Sequence, residues 1–214
     1  MKSTVSRTKP RVSHEERRSL TCRRLVASAA KVFLKKGFAH ASLEEITELA
    51  GMTRGAFYSN FESKEDLLLA YLQQAQSARL KALSDIVTAR CSPEERLESV
   101  RTFLMEEISQ KDRYVLFLEF KMSALRNRDL KTRWLALKRE QHSALEQLVG
   151  KVFSELGLNS RGLSKMITRS VGAYIEGLSI QLAFDPEGMT EETAREYVGQ
   201  VWQRILDELE RLRH

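Results

Sequence analysis

Apolar residues recur along most of this chain at intervals of three and four, the spacing of an α-helix with one buried face. No window sustains the period-two alternation of a half-buried strand. Leu25, Ala29 and Phe33 form such a stripe in a helix predicted to begin between His14 and Thr21 and to end at Gly37. A shorter second helix starts at Ser42, whose hydroxyl is answered three residues on by Glu45 as a capping box, with Ile46, Leu49 and Ala50 as its apolar face. Gly51 can adopt the positive φ that ends it, and Thr53 can cap a third helix over 54 to about 60. Ser63 caps a fourth, running from Lys64 through Leu67, Leu68, Tyr71 and Leu72 to about residue 89.

Farther along, Ser92, Pro93, Glu94 and Glu95 combine an N-cap, a first-turn proline and carboxylates near the positive end of the helix dipole, which opens a helix to about 110. Helices follow over 113–125 and 130–156, the latter striped by Leu137, Leu145, Leu148 and Val152 and closed by Gly157. An eighth helix, 160–184, becomes almost wholly apolar after Val171. Thr190 with Glu191 and Glu192 opens the last, to about 211, whose stripe is Val198, Val201, Trp202, Ile205, Leu209 and Leu212. The pattern therefore predicts an all-α protein of about nine helices. It divides into a flexible basic arm at 1–16, a three-helix helix-turn-helix domain at 17–63 and a larger helical domain at 64–214.

The short second and third helices, joined by a Gly turn, have the form of a helix-turn-helix. Phe57 and Phe61, four apart, can pack inward, which turns Arg54, Gly55, Tyr58 and Ser59 outward. A face that needs no burial is free to read DNA. Charge agrees: residues 1–36 carry eleven Lys and Arg against Glu15 and Glu16, a net of +9, which leaves −3 for the remainder of a chain whose total is +6. A basic segment beside such a motif suits phosphate neutralisation and salt-dependent binding.

Within the motif, the segment TRGAFYSNFESKEDLL closely resembles the recognition helix and following helix of the TetR family of bacterial transcriptional regulators, on Gly51, Phe57, Tyr58, Phe61 and Lys64. With VASAAKVFLKKGFAHASLEEIT ahead of it, the resemblance runs from about 21 to 72. Beyond that, the helical pattern and the triplet Glu176, Gly177, Leu178 resemble the family. The resemblance implies a regulator, usually a repressor, that binds double-stranded DNA at a palindromic operator as a homodimer and is released by a small-molecule effector. It places DNA contacts at Ser42, Thr53, Arg54, Gly55, Ala56, Tyr58 and Lys64. The chemistry fits those positions. Arg54 can bond O6 and N7 of guanine in the major groove, and Gly55 and Ala56 permit close approach. Thr53 and Tyr58 offer hydroxyls to phosphate, and Lys64 offers charge at a helix N-terminus. Ser59 and Asn60 are further candidates for base or phosphate contact.

For the larger domain, helices 8 and 9 carry more apolar surface than one helix face buries, and Gly172, Ala173 and Gly177 permit close approach, as in a four-helix interface between two subunits. Phe103, Met105, Phe117, Phe120, Met122, Trp134, Met166 and Tyr174 are an aromatic and thioether-rich set that could line a pocket for a mostly apolar ligand or form plain core. Glu119 and Glu176 interrupt apolar runs. Either could meet a ligand amine, although the family-like setting of Glu176 favours a structural hydrogen bond. Helix 4 belongs to both domains and would carry the coupling between them.

Cys22 and Cys91 are too few for a disulfide framework and lack metal-ligand spacing, which suits a cytoplasmic setting. The basic N-terminus is not followed by an apolar core, and the longest apolar run, about 115–120, is too short to span a bilayer. No cofactor or metal is expected, nor an enzyme: Walker, G-x-G-x-x-G, G-x-S-x-G and H-E-x-x-H motifs are absent and His14, His40, His142 and His214 are scattered. The rival within the same fold is an architectural or cell-division factor whose larger domain binds a protein.

Overall fold

The computed structural model describes residues 13–158 and 162–213. Among them there are nine helices and no strand. The chain divides into two compact units between Leu68 and Leu69, inside the fourth helix.

The first unit holds α1 (His14–His40), α2 (Leu43–Ala50), α3 (Arg54–Tyr58) and the first turn of α4 (Lys64–Thr88). Helix α1 opens with a capping box: Glu16 N–H donates to Ser13 Oγ at 3.1 Å, and Ser13 N–H donates to a Glu16 carboxylate oxygen at 2.7 Å. Residues 14–16 are therefore helix, a correction to the expected arm, of which residues 1–12 lie outside the described residues. Gly37, at φ 76°, breaks the helical path of α1 where a glycine end is expected, and the chain runs on to His40.

Leu25, Ala29, Phe33, Ile46, Phe57, Leu67 and Leu68 are fully buried and form the core of this unit. Burying each of the larger side chains is worth roughly 1.5–3 kcal/mol. The face of α2 differs from the expected one. Leu49 is 52% exposed, and Thr47 turns inward instead, its hydroxyl donating to the carbonyls of Leu43 and Glu44. At 3.6 residues per turn, Thr47 and Ala50 lie to the same side of Ile46 and Leu49 to the other.

The second unit holds the rest of α4, α5 (Pro93–Ile108), α6 (Lys111–Arg126), α7 (Arg128–Glu155), α8 (Leu163–Phe184) and α9 (Glu191–Arg213). Helix α8 packs against α5, α6, α7 and α9, which explains its near-continuous apolar sequence. Its expected start at Ser160 lies outside the described residues. The main core gathers Phe103, Leu104, Ile108, Val152, Ile175, Leu178, Leu182 and Val198. A smaller cluster around Phe153, Leu158 and Leu209 packs with Val149, Ile167 and Ile205. Ser92 caps α5 through Glu95, and Asn127 caps α7 by accepting from Leu130 N–H at 3.1 Å.

Candidate nucleic-acid interface and a cavity in the second unit

Between α2 and α3 the chain turns in a Schellman arrangement. Gly51 sits at φ 63°, ψ 42°, its N–H donates to Glu48 O at 2.9 Å, and Met52 N–H reaches Thr47 O at 2.8 Å. Thr53 then caps α3 by accepting from Ala56 N–H at 3.1 Å. The helix is shorter than expected, ending at Tyr58, with Ser59 and Asn60 in the turn that follows. Phe57 is fully buried and holds Phe61 beside it, ring centres 5.9 Å apart. On the other side Arg54, Gly55, Tyr58 and Ser59 are exposed. Ala56 is half-buried.

The polar groups of this face are not equally available. Arg54 Nη1 lies 2.8 Å from Glu44 Oε1, and a hydrogen bond with Tyr58 together with that carboxylate raises the Arg54 pKa further above its already high value. Ser59 Oγ donates to Gly55 O at 2.9 Å. Asn60 is engaged at both ends of its amide: Nδ2 donates to Ala56 O at 2.7 Å and Oδ1 accepts from Cys22 Sγ at 3.3 Å. Ser42 is held in the capping box with Glu45. Lys64 Nζ donates to the carbonyls of Phe38 at 2.8 Å and Ala41 at 3.0 Å and stands 4.5 Å from the centre of the Phe38 ring. It thus closes the end of α1, and one of its three N–H groups is left over from those two bonds. Glu44 and the Lys36–Glu45 ion pair escaped the sequence reading, whose only sign of them was the acidic first turn of α2.

The second unit encloses a cavity of about 280 Å³. Of the eight residues offered for a pocket, Phe103 and Phe117 line it, while Met105 packs against the main core and Met122 is 50% exposed. Phe120 and Trp134 stand outside its lining; Trp134 is edge-on to Phe120 at 5.2 Å and tilted against Phe117 at 5.0 Å. Met166 is 59% exposed, and Tyr174 packs against the main core. Neither is part of the lining, because α8 turns its Thr168, Gly172 and Glu176 side inward. The wall also carries polar side chains that sequence reading missed: Arg79, Lys138, Gln141, His142 and Thr168. The signal was present on α7, where Lys138, Gln141 and His142 occupy inward positions between Trp134 and Leu145.

Arg79 and Arg113 converge with Tyr114 on one oxygen of the buried Glu107, at 2.6, 2.7 and 3.0 Å. Burial, with Glu107 beside it, pushes the Tyr114 phenol up to about 12. Glu176 is ion-paired to Lys121, so the structure gives this carboxylate the structural partner that its sequence setting favours. Burial lowers the Lys138 pKa, with Lys121 and Arg79 adding to the effect and Glu176 opposing it. No group of described His, Cys, Asp and Glu is placed to hold a metal ion, and no described helix is long and apolar enough to cross a membrane.

Residues 25–71 match the family of bacterial regulatory proteins of the tetR type, and residues 93–207, more than half of the chain, match the C-terminal domain of BetI-type transcriptional repressors. The chain belongs to the TetR family of bacterial regulatory proteins. That family consists of transcriptional regulators and not of enzymes. A curated relative, the HTH-type transcriptional regulator YerO of Bacillus subtilis, itself uncharacterised, is 45% identical over 47 residues, which is 22% of this chain and 16% of that protein. The first curated relatives are matched over only about a sixth to a third of their own length. In fold the chain is similar to a regulator-like protein from Rhodococcus sp. RHA1, with a TM-score of 0.69 and 22% identity over 86% of this chain and 95% of that one. It is also similar to SmeT in complex with triclosan, with a TM-score of 0.63 and 20% identity over 86% of this chain and 90% of that one.

Proposed function

We propose that the protein is a sequence-specific DNA-binding repressor that engages a palindromic operator as a homodimer and is released by a small, mostly apolar ligand held in the second unit. The observation that carries this is the outward face of α3: Arg54, Gly55, Tyr58 and Ser59 stand free of the core that Phe57 anchors. In this reading Arg54 leaves Glu44 for guanine, while Gly55 and Ala56 allow the helix into the major groove. Thr53, Tyr58, Ser42 and Lys64 fix the register on phosphates, Lys64 through its remaining N–H. Ser59 is a secondary contact. Asn60, which is half-buried, keeps one amide N–H beyond the bond to Ala56 O and is likewise a secondary contact.

The homodimer is supported by apolar groups left on the surface of α8 and α9, Phe184 at 86% and Leu212 at 56% exposure, and by open space at the exposed Gly177. Release by a ligand is supported by the cavity, whose size is near the lower end of the roughly 300–1,000 Å³ common for small-molecule sites. Gln76, Arg79, Leu83 and Val87 of α4 line it, and α4 is one continuous helix across the boundary between the units. The BetI-type match and the triclosan complex of SmeT agree with a ligand-responsive repressor.

The test is selection of genomic fragments by the purified protein, followed by binding to a recovered fragment at two salt concentrations. Recovery of a short inverted repeat, bound by two chains and weakened by salt, is the expected result. Recovery without any shared sequence would contradict it.

A further inference from the structure

We propose that the cavity of the second unit takes an amphipathic anion, a small apolar body ending in a carboxylate or similar oxyanion. The proposal deepens the ligand-responsive reading above and rests on it. A cavity whose wall is mostly apolar but which holds polar groups without partners is built for a ligand that supplies them.

Three donors on the wall lack such partners among the described residues. Thr168 is 94% buried by virtue of its 6% exposure, and its hydroxyl makes no hydrogen bond. The amide nitrogen of Gln141 is likewise buried and unpaired. The contacts of the Lys138 ammonium are ring faces, 5.1 Å from the centre of Phe117 and 5.7 Å from that of Trp134, and no carboxylate lies within ion-pair distance among the described residues. An ammonium, an amide N–H and a hydroxyl can all donate, and a carboxylate only accepts.

The charge balance points the same way. The charged groups that line the cavity are Arg79, Lys138, Arg169 and Glu176, and their ion-pair network adds Glu107, Arg113, Glu146 and Lys121. Five cations thus meet three carboxylates, an excess of two positive charges around the cavity. Burial already lowers the Lys138 pKa, and an anion beside it would relieve that cost. A ligand amine finds no free carboxylate here, because Glu176 is taken by Lys121. For the apolar body, Phe153, Leu209, Val149, Ile167 and Ile205 pack together and all line the cavity.

Calorimetric titration of the full chain with octanoate and with 4-phenylbutyrate, each beside its own primary amide and its own amine, tests this. At least one acid should bind about tenfold tighter than its amide and amine. Lys138→Met should bring the acid down to the amide's affinity while leaving the amide unchanged, which also shows that the variant is folded. Thr168→Val should weaken the acid severalfold and the amide less. Equal binding of acid and amide, tighter binding of an amine, or an acid preference that survives Lys138→Met would overturn the anion assignment and leave the ligand-responsive reading in place. Failure of every probe to bind would overturn both.

Discussion

Arg54 at the start of α3 is held 2.8 Å from Glu44 of α2, both side chains being well exposed. In the proposed interface Arg54 would have to leave this carboxylate to reach a base, and the carboxylate would approach the phosphates along with it. Glu44→Gln removes the competitor and one repulsive charge. It should tighten binding to the operator roughly threefold at low salt, with the gain shrinking as screening increases. Titrations of both proteins at two ionic strengths check this. Weaker binding by Glu44→Gln would mean that the pair positions Arg54 and does not mask it.

The turn between α2 and α3 depends on Gly51, at φ 63°. A side chain there has room, since the nearest atom to an added Cβ is an Arg24 nitrogen at 3.5 Å, so the cost is conformational and not a clash. Gly51→Ala should lower stability by about 1–2 kcal/mol, measured by denaturant unfolding. No measurable loss would show that the turn relaxes to another form.

Glu107 is the one carboxylate shared by Arg79, Arg113 and Tyr114, and it is 6% exposed. Glu107→Leu leaves two largely buried guanidinium groups without it and should cost about 3–5 kcal/mol in unfolding free energy. A loss below about 1 kcal/mol would show that solvent reaches the cluster.

His142 lines the cavity, and burial lowers its pKa; Lys138 and Arg169 add to the effect and Glu146 opposes it. The unfolded chain thus takes up a proton at higher pH than the folded one. Stability should fall as pH drops through the ordinary histidine value of about 6.5 and level off below the depressed folded value. Thermal midpoints from pH 7.5 to 5 should show this slope in the wild type and a shallower one in His142→Gln. An identical slope in both would assign it to other groups.

Most local signals in this chain are legible, the α2 face with Thr47 inward in place of Leu49 being the exception, and tertiary ones are not. The box at Ser42, the N-cap at Ser92, the stripe of Leu25, Ala29 and Phe33 and the turn at Gly51 depend on neighbours three or four residues away, so spacing alone reveals them. Glu44 beside Arg54, Lys64 on the carbonyls that end α1 and Cys22 on Asn60 join residues far apart in sequence, and spacing says nothing of such partners. Size and softness mark Phe103 and Phe117 for the cavity but also Met166, whose side chain points to solvent. Polar residues on an inward helix face, as at Lys138 and Gln141, are the better mark of a cavity, because a packed core would not tolerate them unpaired.

The proposed base reading by the exposed face of α3 is measured most directly by the ratio of affinities for a recovered operator and for random duplex DNA. Arg54→Ala should lower this ratio by about ten- to a hundredfold, by weakening the operator far more than random DNA, whereas Lys64→Ala should weaken both alike. A ratio unchanged by Arg54→Ala would contradict it and reduce Arg54 to a contact with the backbone.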